Sequence, residues 1–336
     1  MLPVAVTYMY AKYYFTNETR SELRDFVRHL KASMTLALQQ NEWMDDETKL
    51  RAQLKLNKML DYIATPTWIA NDDDLDEFYS DVSFNKSNIS PDNYIRSFIK
   101  LSQRKRLRKL NSLRGSWAEE NLVFEPTVIN AYYVIMSNKF GILQNPFYYV
   151  SSPIAMNFGA IGMVIGHEIM HGFDDMGSSY DEKGKYTDWW NVETRKKYEE
   201  RVNCFKNQYS QVTEPVTGKK VNGTLTIGDN LADNVGIQLA YTAYKLYTAT
   251  KERKMDVKLP KSMQKYTKEQ LFFISFGNLW CNNDSKEHIL EQLSTDPHSP
   301  HRIRAIISVS NFEQFAKTFQ CKEGSKMNPK KRCSIW

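Results

Sequence analysis

The 336-residue sequence has no apolar run approaching the roughly 20 residues that span a bilayer. Its opening, MLPVAVTYMYAKYYF, has neither a positive leading region nor a clean apolar core, so neither a signal peptide nor an anchor is expected in this chain. No excess of one charge sign is present. The net charge is +6, with acidic and basic residues interleaved, which argues against a nucleic-acid partner. The one basic run, RKRLRKL from Arg104 to Leu110, lies in a helix-like stretch and reads as a solvated helix face. Cysteine is scarce. Cys204, Cys281, Cys321 and Cys333 all sit in the C-terminal part without a CxxC pair, which disfavours a cysteine-held zinc and leaves disulfides as the natural use. Sequons at Asn17, Asn85, Asn88, Asn222 and Asn283 also point outside the cell. The terminal CSIW has the outline of a prenylation box, but its last residue and these extracellular signs count against lipidation.

With 41% hydrophobic, 25% charged and 13% aromatic residues, the chain is globular and can bury a substantial core. Its length allows one large domain or two ordinary ones. Residues 1 to about 115 read as mostly helical. Leu23, Phe26, Val27, Leu30 and Met34 form a one-faced stripe, and a second stripe of Leu50, Leu54, Met59 and Ile63 predicts a helix ending before Pro66. NDDDLDEFY and NKSNISPDNY read as polar connectors, and a further helix is expected from about Asp92 to Leu113. The texture changes near Ser116: LVFEPTVINAYYVIM is rich in Val, Ile and Tyr and reads as extended. GAIGMVIGHEIMHGF then begins a buried apolar helix. Helices are expected around 191–209, 231–250, 268–278 and 310–319.

HEIMH carries the chemistry. His167 and His171 are four apart on a helix, so both imidazoles project toward one point, where zinc can bind. Glu168, rotated off that axis, can act as general base on the attacking water. Two core histidines meeting by accident is the competing reading, and it is weak in an apolar helix where unpaired polar groups are costly. A catalytic zinc usually has three protein ligands. Asp174 stands where HExxHxxGxxH would need glycine, so the third ligand is expected to be a later carboxylate. Glu193, Glu199 and Asp229 qualify by residue type, and spacing does not choose among them. In TIGDNLADNVG, Asp229 and Asp233 share one face of a helix start, where carboxylates either hold a metal or cap the helix.

VIGHEIMHGFDD, DWW, LADN, DPHSP and MNPKKRCSIW together resemble the neprilysin-like (M13) zinc metallopeptidases, which include the endothelin-converting enzymes; NAYY and GILQNPF add to the match. The resemblance runs over nearly the whole chain. It implies a mainly α fold with a small β component (α+β), with a thermolysin-like zincin catalytic domain over 116–336. It also implies a remnant of the large helical lid domain over 1–115, most of which would lie upstream together with a membrane anchor.

Carried over residue by residue, the family's Glu-Asn-x-x-Asp pattern puts Asp229 in the place of the third zinc ligand. Asp229 is one methylene shorter than the family's glutamate, about 1.5 Å of reach. Asp233 would orient His167 and Asp174 would orient His171. The resemblance gives His298 the role of donor to the oxyanion. Arg304 would bind a substrate carbonyl, Asn130 and Ala131 would align the peptide, and Leu279 and Trp280 would line a side-chain pocket. Cys204 would pair with Cys333, while Cys281 and Cys321 would be unpaired here, their partners lying upstream. The segment after NAYY is a few residues shorter than usual in the family. The expected function is a metalloendopeptidase that cleaves short peptides with one Zn²⁺ per chain, secreted or as the ectodomain of a single-pass plasma-membrane protein. Asp229 and the shortened segment support a second reading, a homologue that binds peptide or zinc without efficient turnover.

Overall fold

The computed structural model describes residues 2–14, 16–63, 71–81, 91–111, 130–142, 147–250 and 259–336. In chain order, the first helices are α1 (Pro3–Tyr14), α2 (Asn17–Gln40), α3 (Asp46–Lys58), α4 (Asp72–Phe78) and α5 (Pro91–Asn111). Then come α6 (Ile154–Asn157), α7 (Met163–His171), α8 (Val192–Ser210) and α9 (Ile227–Thr250). The last are α10 (Lys268–Leu279), α11 (Lys286–Thr295), α12 (His301–Asn311) and α13 (Glu313–Thr318). The strands β1 (Leu60–Ile63), β2 (Ala131–Val134) and β3 (Lys139–Ile142) form one sheet in the order β1-β3-β2. The fold is therefore mainly α with a small β component, as the sequence implies. No helix of the described residues is long and apolar enough to cross a membrane.

The chain divides into two compact units. The smaller comprises 1–23, 62–130 and 141–143. In it, the Tyr8 hydroxyl and the Lys12 ammonium of α1 both donate to Asp72 of α4. Arg104 of α5 pairs with Asp81 at 2.7 Å and stacks on Phe78, so the basic run is not wholly solvated. NDDDLDEFY, expected as a connector, contains α4. Asn71 and Asp74 form a reciprocal capping box that satisfies its first turn, and three acidic residues complement the helix dipole there.

The larger unit comprises 24–61, 131–140 and 144–336. The stripe of α2 is buried as expected, and Phe26 stacks on Phe158 with ring centroids 4.2 Å apart. In α3 the expectation fails. Leu50 and Leu54 are exposed, at 66% and 44%, and the buried face is Thr48, Ala52, Lys55 and Leu56. The Lys55 ammonium donates to the carbonyls of Gly177 and Tyr180, each at 2.7 Å, and so satisfies the turn that follows α7. The helix also stops at Lys58 rather than running to Ile63, because Leu60–Ile63 pairs as β1.

β2 and β3 form a hairpin closed by a 3-10 turn (Ile135–Ser137) and by Asn138 in the left-handed region, at φ 49°. Asn138 is buried. Its side chain accepts from Tyr133 and donates to the carbonyls of Lys55 and Glu182, pinning the short turn in place. Of LVFEPTVINAYYVIM, the part before Asn130 lies outside the described residues. Further on, α11, capped by Ser285, and nearly all of α12 were missed by the sequence reading, and the expected 310–319 helix takes in the end of α12, a break at Phe312 and α13.

α7 runs on from α6 through a π turn at Phe158–Gly162 and packs most extensively against α9. The two helices cross where Gly166 faces Gly236. A Cβ on Gly236 would lie 2.8 Å from the His167 backbone nitrogen, and one on Gly166 would lie 2.8 Å from the Gly236 carbonyl oxygen. Behind α7, the Trp336 indole lies beside Trp43 and Phe173, and its N–H points at the Met170 sulfur, 3.2 Å away. A Cys204–Cys333 disulfide joins this end of the chain to α8. Gly236→Ala should push α9 from α7 and destabilise the fold by about 1–3 kcal/mol, read as a lower midpoint in urea unfolding with an unchanged slope.

Candidate metal centre

α7 and α9 supply most of the site. One turn of α7 separates His167 from His171, and their Nε2 atoms face each other at 2.9 Å. The outer nitrogens are engaged by carboxylates: His167 Nδ1 lies 2.8 Å from Asp233 Oδ1, and His171 Nδ1 lies 2.7 Å from Asp174 Oδ2. A carboxylate accepts, so each Nδ1 carries a proton, and a neutral ring in this setting turns its Nε2 lone pair inward. Asp174 is itself held, its Oδ1 accepting from the Met176 and Gly177 backbones. Asp233 is fully buried, and its second partner is Arg304, whose Nε and Nη2 each donate at 2.7 Å.

The carboxylate brought to the two histidines is Asp229, in the first turn of α9; ligand atoms of the three residues lie within 4.8 Å of one another. Asp229 Oδ1 is 3.5 Å from His167 Nε2 and 3.9 Å from His171 Nε2, yet it is buried without a hydrogen-bond partner. Glu193 and Glu199, equal candidates by residue type, are exposed on α8. The close glycine crossing of α7 and α9 goes with an Asp229 carboxylate within 3.5 and 3.9 Å of the two Nε2 atoms.

These atoms fit a metal. Two lone pairs 2.9 Å apart repel unless a cation or a proton lies between them, and a buried, unpartnered carboxylate oxygen beside them adds to the demand. Tetrahedral coordination with metal–nitrogen bonds of about 2.0–2.1 Å would set the two nitrogens roughly 3.4 Å apart, within a small ring rotation of their observed positions. The electrostatics agree. Burial opposes charge on His167, but Asp229 and Asp233 outweigh it and push its pKa up to about 10. His171 is raised by Asp174 against burial and against the charge of His167. The pocket draws positive charge.

Glu168 is buried beside the histidines, with Oε2 lacking any hydrogen-bond partner, and burial raises its carboxyl pKa. His298 Nε2 stands 3.1 Å from Asp229 Oδ1, and its Nδ1 lies 2.7 Å from Asp296 Oδ1. The guanidinium of Arg304 lies 3.9 Å above the Trp280 ring; Leu279 and Trp280 are half-buried. Ala131 opens β2, which packs beside α7, and the exposed Asn130 precedes it. Cys204 and Cys333 are bonded, whereas Cys281 and Cys321 are free thiols. Sequence reasoning missed Asp296, for which the Asp-Pro-His spacing was an available signal. It also missed Ser299, whose buried hydroxyl donates to Asn230, and there no local signal exists.

Two family models, each described as peptidase family M13, match residues 1–66 and 130–335. Over the whole chain the sequence is 35% identical to Neprilysin-1 of Trittame loki, of which it covers 47%. It is 35% identical to human endothelin-converting enzyme 1, with 98% of this chain and 42% of that protein aligned. The chain thus spans less than half the length of these curated relatives. Among solved structures, the Mycobacterium tuberculosis zinc metalloprotease Zmp1 in complex with an inhibitor superposes with a TM-score of 0.82 at 27% identity, over 99% of this chain and 49% of that one. A Haemonchus galactose-containing glycoprotein complex gives 0.84 at 27% identity, over 100% and 52%.

Replacing Asp233 by Ala should loosen His167 and strand the Arg304 guanidinium in the interior. The expected losses are about 10–100-fold in metal affinity, measured by chelator competition, and about 3–5 kcal/mol in stability, measured by denaturant unfolding.

Proposed function

The chain belongs to peptidase family M13, and from that premise we propose that it carries the catalytic part of a zinc endopeptidase acting on short peptides. The observation that supports this most is the convergence of two imidazole nitrogens and one carboxylate oxygen beside a buried glutamate. His167, His171 and Asp229 would hold one Zn²⁺, which when bound supplies Lewis acidity to the scissile carbonyl and to water. Glu168 accepts the proton of the attacking water and later returns it to the leaving amine. Its burial suits that task, since a carboxyl of raised pKa is a stronger base. His298 is oriented by Asp296 at Nδ1 and turns Nε2 toward the site, where it would meet the oxyanion as charge develops there. Asp233 and Asp174 keep the two ligand rings in the inward-facing tautomer. Arg304 offers a substrate carbonyl the N–H groups that it does not give to Asp233. Asn130 and Ala131 align the peptide, while Trp280 with Leu279 receives a side chain.

In this reading residues 1–115 are the remnant of the helical lid domain and 116–336 the catalytic domain. The upstream part of the protein completes the lid, limits substrates to short peptides, and pairs with Cys281 and Cys321. The setting is extracellular, secreted or as an ectodomain.

The decisive experiment is cleavage of a short fluorogenic peptide by the full-length protein. Activity should vanish with a zinc chelator and return with zinc, and Glu168→Gln should lower kcat by about 10²–10⁴-fold with metal retained. Chelator-insensitive cleavage, or no effect of Glu168→Gln, would overturn the assignment. One observation favours a weakened homologue: Asp229 Oδ1, the oxygen nearest the two ligand nitrogens, also lies 3.1 Å from His298, so one short carboxylate serves three imidazoles. Asp229→Glu distinguishes the two readings. A competent natural site should show no gain in kcat/KM, whereas a steep rise from near zero would place the chain in the weakened class.

A further inference from the structure

His298 poses a positioning problem. Its side chain is 46% exposed, so burial alone cannot fix an imidazole that must meet a developing charge. The neighbouring Ser299 is the opposite, with no exposed surface. Its hydroxyl donates to Asn230 Oδ1 at 2.8 Å, and Asn230 is equally buried. The amide of Asn230 cannot turn over without loss. Its Nδ2 donates to Thr226 Oγ1 at 2.8 Å, and the Thr226 hydroxyl is already directed at the Asn222 carbonyl, 3.0 Å away. Turning the amide would set its oxygen against an oxygen with no proton to give. Prolines at 297 and 300 fix two backbone φ angles on either side of His298 and Ser299, so a tether at Ser299 is transmitted to its neighbour. Asn230 adjoins Asp229 on α9. The helix that presents the third carboxylate therefore also holds the segment that presents His298.

We propose that the Asn230–Ser299 hydrogen bond sets the position of His298, and that Asn230 and Ser299 are positioning residues for oxyanion binding. This rests on the peptidase reading, because only there does His298 have an oxyanion to meet. Asp296 orients the ring about its own axis through Nδ1; the Ser299 tether places the segment relative to α9. Breaking the tether leaves a buried amide oxygen unsatisfied and frees the 296–300 segment.

The test uses Ser299→Ala in the full-length protein, alone and combined with His298→Ala. Hydrogen–deuterium exchange, read without any activity, should quicken at the His298 and Ser299 amides and stay unchanged in α7. A misplacement of about 1 Å should lower kcat by roughly 10–100-fold, with KM and zinc content unchanged. In the His298→Ala background the same substitution should change kcat by less than about twofold, since its effect passes through His298. Asn230→Ala should reproduce the exchange result, and adding it to Ser299→Ala should have little further effect. Unchanged exchange at 298–299, or an equal loss of kcat with and without His298, would overturn the proposal. If the unmodified protein cleaves no peptide, the peptidase reading falls, and the exchange rates still decide whether the tether holds the segment.

Discussion

Everything at the candidate metal centre depends on how closely the backbones of α7 and α9 approach. Gly166 and Gly236 meet with no room for a Cβ on either, and that contact sets the depth at which α9 presents its carboxylates to α7. A Cβ at either glycine would push the two helices apart and draw Asp229 away from the histidines. Here its oxygen lies 3.5 Å from His167 Nε2 and 3.9 Å from His171 Nε2.

α9 works as a ruler laid along the site. Its inward positions tie several elements together: Asp229 meets the paired histidines, Asn230 the 297–300 segment, Asp233 both His167 and Arg304, and Asn234 both Tyr209 and Asn311. Asn311 extends the chain of contacts to Gln208 and to the backbone of Cys333. Burying so many polar groups costs free energy unless each finds a partner. Most do, and two of the unpartnered oxygens, on Asp229 and Glu168, lie at the point where chemistry is expected.

The parts of this arrangement that were legible in the sequence are those governed by short spacing. HEIMH fixes two imidazoles on one face whatever surrounds them, and the stripe of α2 finds its core. The failures have specific physical causes. Leu50 and Leu54 look like a buried stripe, but Lys55 is drawn inward by two carbonyls more than a hundred residues away, and its burial rotates the helix. Residues 72–78 look like a polar link because their stability comes from end-capping rather than from an apolar face. Residue type and spacing left Glu193, Glu199 and Asp229 open; the family resemblance pointed to Asp229, and α9 brings that residue beside the histidines. The Ser299–Asn230 contact spans 69 residues between two ordinary polar side chains, and no local pattern announces it.

The packing behind α7 has a consequence for how the protein is made. Met170 leaves the ribosome 166 residues ahead of Trp336, whose indole sits against its sulfur. Cys204 likewise waits 129 residues for Cys333. The helix that carries His167 and His171 thus meets part of its packing only from residues far downstream. Until Cys333 and Trp336 are in place, neither the disulfide nor the indole against Met170 can form, so this flank of α7 is completed by residues far from it in sequence.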